Sequence, residues 1–392
     1  MIVVSGGDLI LSGRLVSEGS LIIDGGRITA IESRRVDPAG ATIVDASDCY
    51  VSPGFIDVHV HGLHGHDTLD GEGAVAHIAA LLPRYGVTAF CPTTVACGPD
   101  DLRSVLKQVR QARVAPVAGS ARVLPAHLES NFINPEYKGA QPADCLRHAG
   151  ESSRDGVYSA ADILDVISVS RPDVGIVTMA PELPGGIELV RSLAAAGHRV
   201  SLGHSGSDYD TAIEAIEAGA RHATHLFNRM TPMTHRAPGL PGAVLAREEV
   251  TVELICDGYH VHPSMCRVAV AAKGPDGVMA ITDATSGAGL TQGSKARLGG
   301  RQIEVGAQAA FLEDGTLAGS TLTMDKAFRN IVTRFGGSLV DAALLCATSP
   351  ARTLGLNGFG VLAEGAAADV VVLDRAFKIL RTFIGGQQVW GA

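Results

Sequence analysis

The chain has 392 residues and a formal net charge of −9, which excludes a general nucleic-acid or anionic-membrane surface and leaves any anionic ligand to a local cationic pocket. Its 46% hydrophobic content, 4% aromatic content and 47 glycines exclude a disordered or fibrous chain and describe an Ala/Val/Leu-packed α/β protein with many tight turns. The length allows a large core and a second, smaller domain. Seven scattered cysteines (Cys49, Cys91, Cys97, Cys145, Cys256, Cys266 and Cys346) are an odd number without close pairing, so they are expected to be reduced. The N-terminus lacks a charged segment followed by a long apolar run, and no stretch approaches the roughly eighteen apolar residues that span a bilayer. A cytoplasmic location is expected.

Residues 1–50 contain short apolar runs, among them Leu9-Ile10-Leu11, Ser20-Leu21-Ile22-Ile23 and Thr42-Ile43-Val44, separated by Gly25-Gly26 and Pro38-Ala39-Gly40. That spacing predicts short strands and hairpins. Residues 357–392 repeat it, in Val370-Val371-Val372-Leu373 and Ile379-Leu380-Arg381-Thr382-Phe383-Ile384. The two ends therefore predict one small β-sandwich-like domain around an interior of 51–356.

Within the interior, strand candidates end near Asp57 to His61, Cys91 to Thr94, Ala126 to Glu129, Met179 to Glu182, Gly203-His204, His225, Asp257 and Asp283. Helical spacing marks 73–85, 99–113, 186–197, 208–218 and 263–273, with further helices at 324–335 and 338–347. Eight strand-helix units are the arithmetic of a (β/α)8 TIM barrel, so the fold class is α/β.

A TIM barrel gathers its chemistry where the strands end. The polar side chains at those ends are His59, His61, Glu129, His204, His225 and Asp283. His59 and His61 alternate along one strand, so they share a face and can converge on one cation. Four imidazoles and two carboxylates form an N/O ligand set suited to Zn²⁺, Fe²⁺ or Mn²⁺. His64, His66, His77, His127, His148, His198, His222, His235 and His262 are read as structural or surface residues.

The ordered pattern, opening with His-x-His on the first strand and closing with Asp on the last, resembles the amidohydrolase superfamily over essentially the whole chain. No lysine lies at a strand end, so the metal-bridging carboxylated lysine of many superfamily branches has no counterpart, and Glu129 is the candidate bridge. This points to the N-acetylglucosamine-6-phosphate deacetylase family. Gly203-His204-Ser205, Ala223-Thr224-His225-Leu226-Phe227-Asn228-Arg229-Met230, Cys256-Asp257-Gly258-Tyr259-His260-Val261, Thr282-Asp283-Ala284 and Leu317-Ala318-Gly319-Ser320-Thr321-Leu322-Thr323-Met324 look like its motifs. The resemblance implies one metal on Glu129, His204 and His225 and a second on His59, His61 and Glu129, with Asp283 as proton shuttle for amide hydrolysis. It also implies that Asn228, the Arg229 backbone and His260 hold a sugar phosphate, and that Arg236 reaches the phosphate of the neighbouring subunit in a homodimer.

Two segments depart from the family. Glu-Gly-Pro-Phe becomes Glu129-Ser130-Asn131-Phe132, and Lys-Gly-Ala-His becomes Lys138-Gly139-Ala140-Gln141. The family's histidine helps to position substrate and polarise the acetyl oxygen; Gln141 can donate a hydrogen bond but cannot be cationic. Ser130, Asn131 and Gln141 are thus expected to reshape the pocket and to shift the preferred amino sugar, for example to N-acetylgalactosamine 6-phosphate. Rival readings are an amidohydrolase of a non-phosphorylated amide and a silent barrel that only binds amino-sugar phosphates.

Overall fold

The computed structural model describes residues 1–71, 73–151 and 157–391. Its centre is a parallel barrel of eight strands: Phe55–Val60, Val87–Thr94, Ala126–Glu129, Val174–Met179, Arg199–Leu202, His222–Ala223, Thr251–Ile255 and Val278–Ile281. Each pairs in parallel with the next. The ring closes where the Asp283 N–H donates to His59 O (3.0 Å) and the His61 N–H to Ala284 O (2.8 Å). Phe55–Val60 and Val87–Thr94 are buried at every position, because a parallel barrel strand is covered on both faces. This explains their lack of polar alternation.

The expected helices are present in the outer layer. Pro99–Val114 opens with Pro99, Asp100 and Asp101, which suit a helix N-terminus, and buries Leu102, Val105, Leu106 and Val109 at helical spacing. Three α-helices have no counterpart among the sequence-predicted ones: Ala160–Val169, started by a Ser159/Asp162 capping box, Gly239–Ala246, which is apolar nearly all round, and the short Ser349–Thr353. Among the described residues no helix is long and apolar enough to cross a membrane, and all seven cysteines are free.

Both termini build one eight-stranded sheet in the order Gln387–Trp390, Ile379–Ile384, Val370–Leu373, Tyr50–Pro53, Ile2–Leu11, Arg14–Asp24, Arg27–Glu32, with Thr42–Asp45 also beside Ile2–Leu11. Its own core includes Val4, Leu9, Leu21, Ile28, Val51, Val370 and Phe383. Among the links that tie it to the barrel, Asp369 accepts from Arg122, and the Thr382 hydroxyl donates to Pro83 O (2.7 Å).

A further feature had no counterpart in the sequence reading. After the eighth strand the chain forms a four-stranded antiparallel sheet, Lys295–Leu298, Arg301–Val305, Ala309–Leu312 and Leu317–Ser320. Its first hairpin turns on Gly299-Gly300, both at positive φ (56° and 78°), as a two-residue turn demands. Its last strand is pinned to the barrel mouth, where the Ser320 N–H donates to Asp283 O (2.9 Å).

Candidate active site

The C-terminal ends of the strands bring six side chains to one point. His59 projects from strand one and His61 directly follows it, Glu129 projects from strand three, His204 and His225 follow strands five and six, and Asp283 follows strand eight. All six are buried, Asp283 being the most exposed at 7%. Three of them, His204, His225 and Asp283, hold positive φ angles of 46°, 28° and 50°. Non-glycine residues in that region are strained by on the order of 1–3 kcal/mol each and gather at functional sites. Gly62 lets the turn after His61 close, since a Cβ there would lie 2.4 Å from His66 O.

The contacts separate into two groups that share Glu129. Glu129 Oε1 lies 2.9 Å from His204 Nε2 and 2.8 Å from His225 Nε2, and those two nitrogens are 3.0 Å apart. His59 Nε2 and His61 Nε2 are 3.1 Å apart, 3.8 and 3.5 Å from the Glu129 oxygens, and 3.4 and 3.3 Å from Asp283 Oδ1. Ligand-to-ligand edges of about 3.3–3.6 Å are what a tetrahedral ion with bonds of about 2.0–2.2 Å requires. The His59/His61 contacts, from 3.1 to 3.8 Å, bracket that value, and the His204/His225 contacts, from 2.8 to 3.0 Å, are tighter.

The hydrogen positions argue the same way. His204 Nδ1 sits 2.8 Å from the Tyr137 carbonyl, which can only accept, so Nδ1 carries the hydrogen. With Nδ1 so engaged, Nε2 is the nitrogen left for a metal, and once deprotonated it turns its lone pair toward the Glu129 carboxylate. Two lone pairs at 2.9 Å repel unless a proton or a cation lies between them. The donor set thus fits a divalent metal, both as His59, His61 and Glu129 and as Glu129, His204 and His225.

Charge compensation inside the cluster is strong. Burial raises the Glu129 carboxyl, but His204 and His225 outweigh it and hold Glu129 well below the usual carboxylate range. Burial also opposes ionisation of Asp283, and His59 and His61 overcome it. For His59, burial lowers the pKa while Glu253, Asp283 and Glu129 lift it to about 10. His225 is raised against burial by Glu129.

A pocket of about 440 Å³ opens over this cluster, lined by Glu136, Tyr137, Gln141, Asn228, Arg229, His260, Leu298 and Leu317 besides the ligand candidates. His260 donates from Nδ1 to Asp257 Oδ2 (2.6 Å), and its buried Nε2 has no protein partner. That nitrogen is left for a ligand. Asn228 bends back to His225 O (3.2 Å) and Leu226 O (3.4 Å). Gln141 lines the pocket with both amide atoms engaged: Nε2 donates to Glu129 Oε2 and Oε1 accepts from Ala96 N–H (2.8 Å).

Ser130 and Asn131 turn away from this pocket. The Ser130 hydroxyl donates to Thr178 O (2.6 Å), and Asn131 Nδ2 donates to Cys97 O and Cys145 O (2.8 and 2.7 Å), so both tie loops together. Arg236 is exposed and contacts His235 Nε2 (2.8 Å) outside the pocket. A larger cavity, about 1130 Å³, lies at the opposite end of the barrel, lined by Arg113, Arg122, Arg199 and Arg221 among others. It contains none of the six clustered side chains, and barrel chemistry belongs to the other face.

Sequence reasoning takes His127 and His222 as structural, and it does not reach Glu253 or the part Glu182 plays. Glu253, His127 and His222, all fully buried, form a polar layer beneath the cluster, with His222 Nε2 2.9 Å from Glu253 Oε1. The available signals were Glu253 as the sole charge in the apolar strand Thr251–Ile255 and His127 on the same strand face as Glu129. Glu182, beyond strand four, clamps the His204 loop by accepting from Ser205 Oγ (2.7 Å), Gly206 N–H (2.6 Å) and Asn134 Nδ2 (2.9 Å).

A parallel eight-stranded barrel with histidines and carboxylates converging at its C-terminal mouth defines a hydrolase of the amidohydrolase kind. The amidohydrolase family pattern matches residues 50–389. The chain is 37% identical to the N-acetylglucosamine-6-phosphate deacetylase of Bos taurus over 97% of this chain and 94% of the relative. It is 34% identical to the N-acetylgalactosamine-6-phosphate deacetylase of Escherichia coli O157:H7 over 95% of each. A structure of N-acetyl-D-glucosamine-6-phosphate deacetylase from Mycobacterium smegmatis superposes with a TM-score of 0.88 at 32% identity, covering 99% of both chains. The chain belongs to the amidohydrolase family and, within it, to the N-acetylglucosamine-6-phosphate deacetylases; it is a hydrolase acting on an amide.

Proposed function

We propose that the protein removes the N-acetyl group of N-acetylglucosamine 6-phosphate, giving glucosamine 6-phosphate and acetate, in the cytoplasm. The observation that carries this is the pairing of a carboxylate-bridged histidine cluster with an unpartnered buried His260 nitrogen across one pocket of about 440 Å³. The first does amide chemistry and the second suits a phosphate or hydroxyl oxygen. The relatives named above support the substrate class.

Glu129, His204 and His225 would hold one divalent cation, and His59, His61 and Glu129 a second, drawn from Zn²⁺, Fe²⁺ or Mn²⁺. A bound cation there supplies Lewis acidity, polarising the acyl carbonyl and acidifying a water. Asp283, ionised in this cluster, takes the proton of the attacking water and delivers it to the departing amine, which must be protonated to leave. Asn228, the Arg229 backbone and His260, which line the pocket, hold the sugar phosphate. We extend the reading to a homodimer in which the exposed Arg236 serves the neighbouring subunit's phosphate.

A second reading, N-acetylgalactosamine 6-phosphate, is favoured by Gln141, which stands where the family has histidine, and by the Escherichia coli relative. Steady-state kinetics on the 6-phosphates of N-acetylglucosamine, N-acetylgalactosamine and N-acetylmannosamine, and on free N-acetylglucosamine, separates them. The highest kcat/KM on the glucosamine ester supports the first reading. Equal turnover of the unphosphorylated sugar removes phosphate from the proposal.

A further inference from the structure

Glu253 lies mid-way along the seventh barrel strand between Val252 and Leu254, with no solvent exposure. A carboxylate so buried persists only with partners that satisfy both oxygens. Oε1 faces His222 Nε2 (2.9 Å), whereas Oε2 faces His59 Nδ1 (2.9 Å) and the backbone N–H of His225 (3.2 Å). One oxygen therefore grips a side chain from one half of the cluster and the main chain from the other.

The chemistry of that oxygen sets what His59 can do. A carboxylate accepts, so it fixes a hydrogen on Nδ1 and leaves Nε2, which faces His61, Glu129 and Asp283, as the nitrogen that can bind a metal. The N–H of His225 is held at a residue with φ 28°, where a hydrogen bond resists relaxation of the strained turn. A competing role for Glu253, as a direct ligand with His59 and His127, conflicts with the hydrogen bonding of His127. Its Nδ1 lies 3.0 Å from the Val58 carbonyl and must donate to it.

We infer that Glu253 is a positioning residue for both halves of the metal centre, orienting His59 through its ring and His225 through its backbone, and that the His59/His61/Glu129 half depends on it more. The dependence is unequal because a ring held by one hydrogen bond can rotate, while the His225 turn is also tied by Asn228 N–H to His225 O (2.9 Å). This rests on the metal reading of the cluster but not on the identity of the substrate. Its test accordingly reads metal binding.

The experiment is a metal titration of the full-length protein, purified metal-free, with Co²⁺ followed by absorbance and equivalents counted by elemental analysis. Wild type, Glu253→Gln, Glu253→Leu and His59→Ala are compared, with folding checked by circular dichroism and thermal melting. Wild type is expected to take up two equivalents. Glu253→Leu and His59→Ala should each keep one tight equivalent and weaken the other 10- to 100-fold or more. Glu253→Gln, whose amide oxygen can still accept from His59 Nδ1, should fall between. A folded Glu253→Leu protein that binds both equivalents with wild-type affinity overturns the inference; if that variant does not fold, unchanged affinities in Glu253→Gln do so. Three equivalents in wild type would also overturn it, by making Glu253 a ligand. Loss of one equivalent in a protein inactive on every amino-sugar phosphate would leave the inference standing and remove the proposed function.

Discussion

Gln141 hands its amide N–H to Glu129 while its carbonyl accepts the Ala96 N–H at 2.8 Å, so the carboxylate shared by the two groups is braced from the loop beyond strand two. The side chain cannot turn its amide toward a substrate carbonyl without dropping Glu129. Its first duty here is therefore to the carboxylate. Gln141→Leu keeps the volume but strands a buried N–H and a carboxylate oxygen, at a cost of about 1–3 kcal/mol in stability. Metal affinity should fall by roughly 10- to 100-fold, as for other lost outer partners. Denaturant unfolding and metal titration check both, and unchanged metal affinity removes the brace.

Metal removal should abolish turnover and lower the melting temperature together. Without a cation, the lone pairs converging on Glu129 Oε1 repel or must be protonated. Ligand at about a thousand times its Kd stabilises by about 4 kcal/mol, enough to move the midpoint by several degrees. Chelated protein holding under a tenth of an equivalent, assayed before and after metal is restored, gives the answer. Full activity in the chelated state would end the metal reading.

Proton competition sets a pH dependence with a definite sign. In the metal-free protein the His59 pKa is lifted to about 10, so at pH 7 its Nε2 carries a proton that a metal must displace. Affinity of that half should rise by about tenfold per pH unit between 6 and 8, with about one proton released per ion. Calorimetry at pH 7 in two buffers of different ionisation enthalpy counts the proton. Affinity independent of pH would contradict the assignment.

Much of this site was legible because barrels follow two simple rules: alternate residues share a strand face, and chemistry collects at strand ends. Those rules carry His59, His61, Glu129, His204, His225 and Asp283 from sequence to one cluster. They do not reach Ser130 and Asn131, which lie just past a strand end, where turn geometry rather than alternation sets direction. Nor do they reach Glu253, whose importance comes from partners on strands one and six, 194 and 31 residues away in sequence. The sheet of 295–320 is hidden in the sequence for a different reason: its strands are only four or five residues long and its pocket role rests on Leu298, Leu317 and Gly319.

Asp283 is close enough to His59 and His61 to be either a ligand or a proton carrier, and one substitution separates the roles. Asp283→Asn keeps an oxygen for coordination and loses the basicity. Metal content should stay at the wild-type number of equivalents while kcat drops by about 10²–10⁴, the usual worth of a positioned acid-base group. Loss of metal with loss of turnover makes Asp283 chiefly a ligand. Near-normal turnover takes it out of the chemistry.

His260 should govern substrate capture rather than the bond-breaking step. Asp257 fixes its ring through Nδ1, leaving Nε2 pointed into the pocket, and the Asp257 carboxylate also accepts the backbone N–H groups of Tyr259 (2.8 Å) and His260 (2.9 Å). A group that binds the remote end of a substrate equally in ground and transition states changes KM and leaves kcat alone. His260→Ala is thus expected to raise KM for the phosphorylated sugar by roughly 10- to 100-fold, the equivalent of about 1.5–3 kcal/mol for a lost charge-assisted hydrogen bond. Inhibition by inorganic phosphate should weaken in parallel, and any turnover of free N-acetylglucosamine should be unaffected. If His260→Ala instead lowers kcat equally on the phosphorylated and free sugars, the imidazole belongs to the acyl end of the pocket and the phosphate must be held elsewhere.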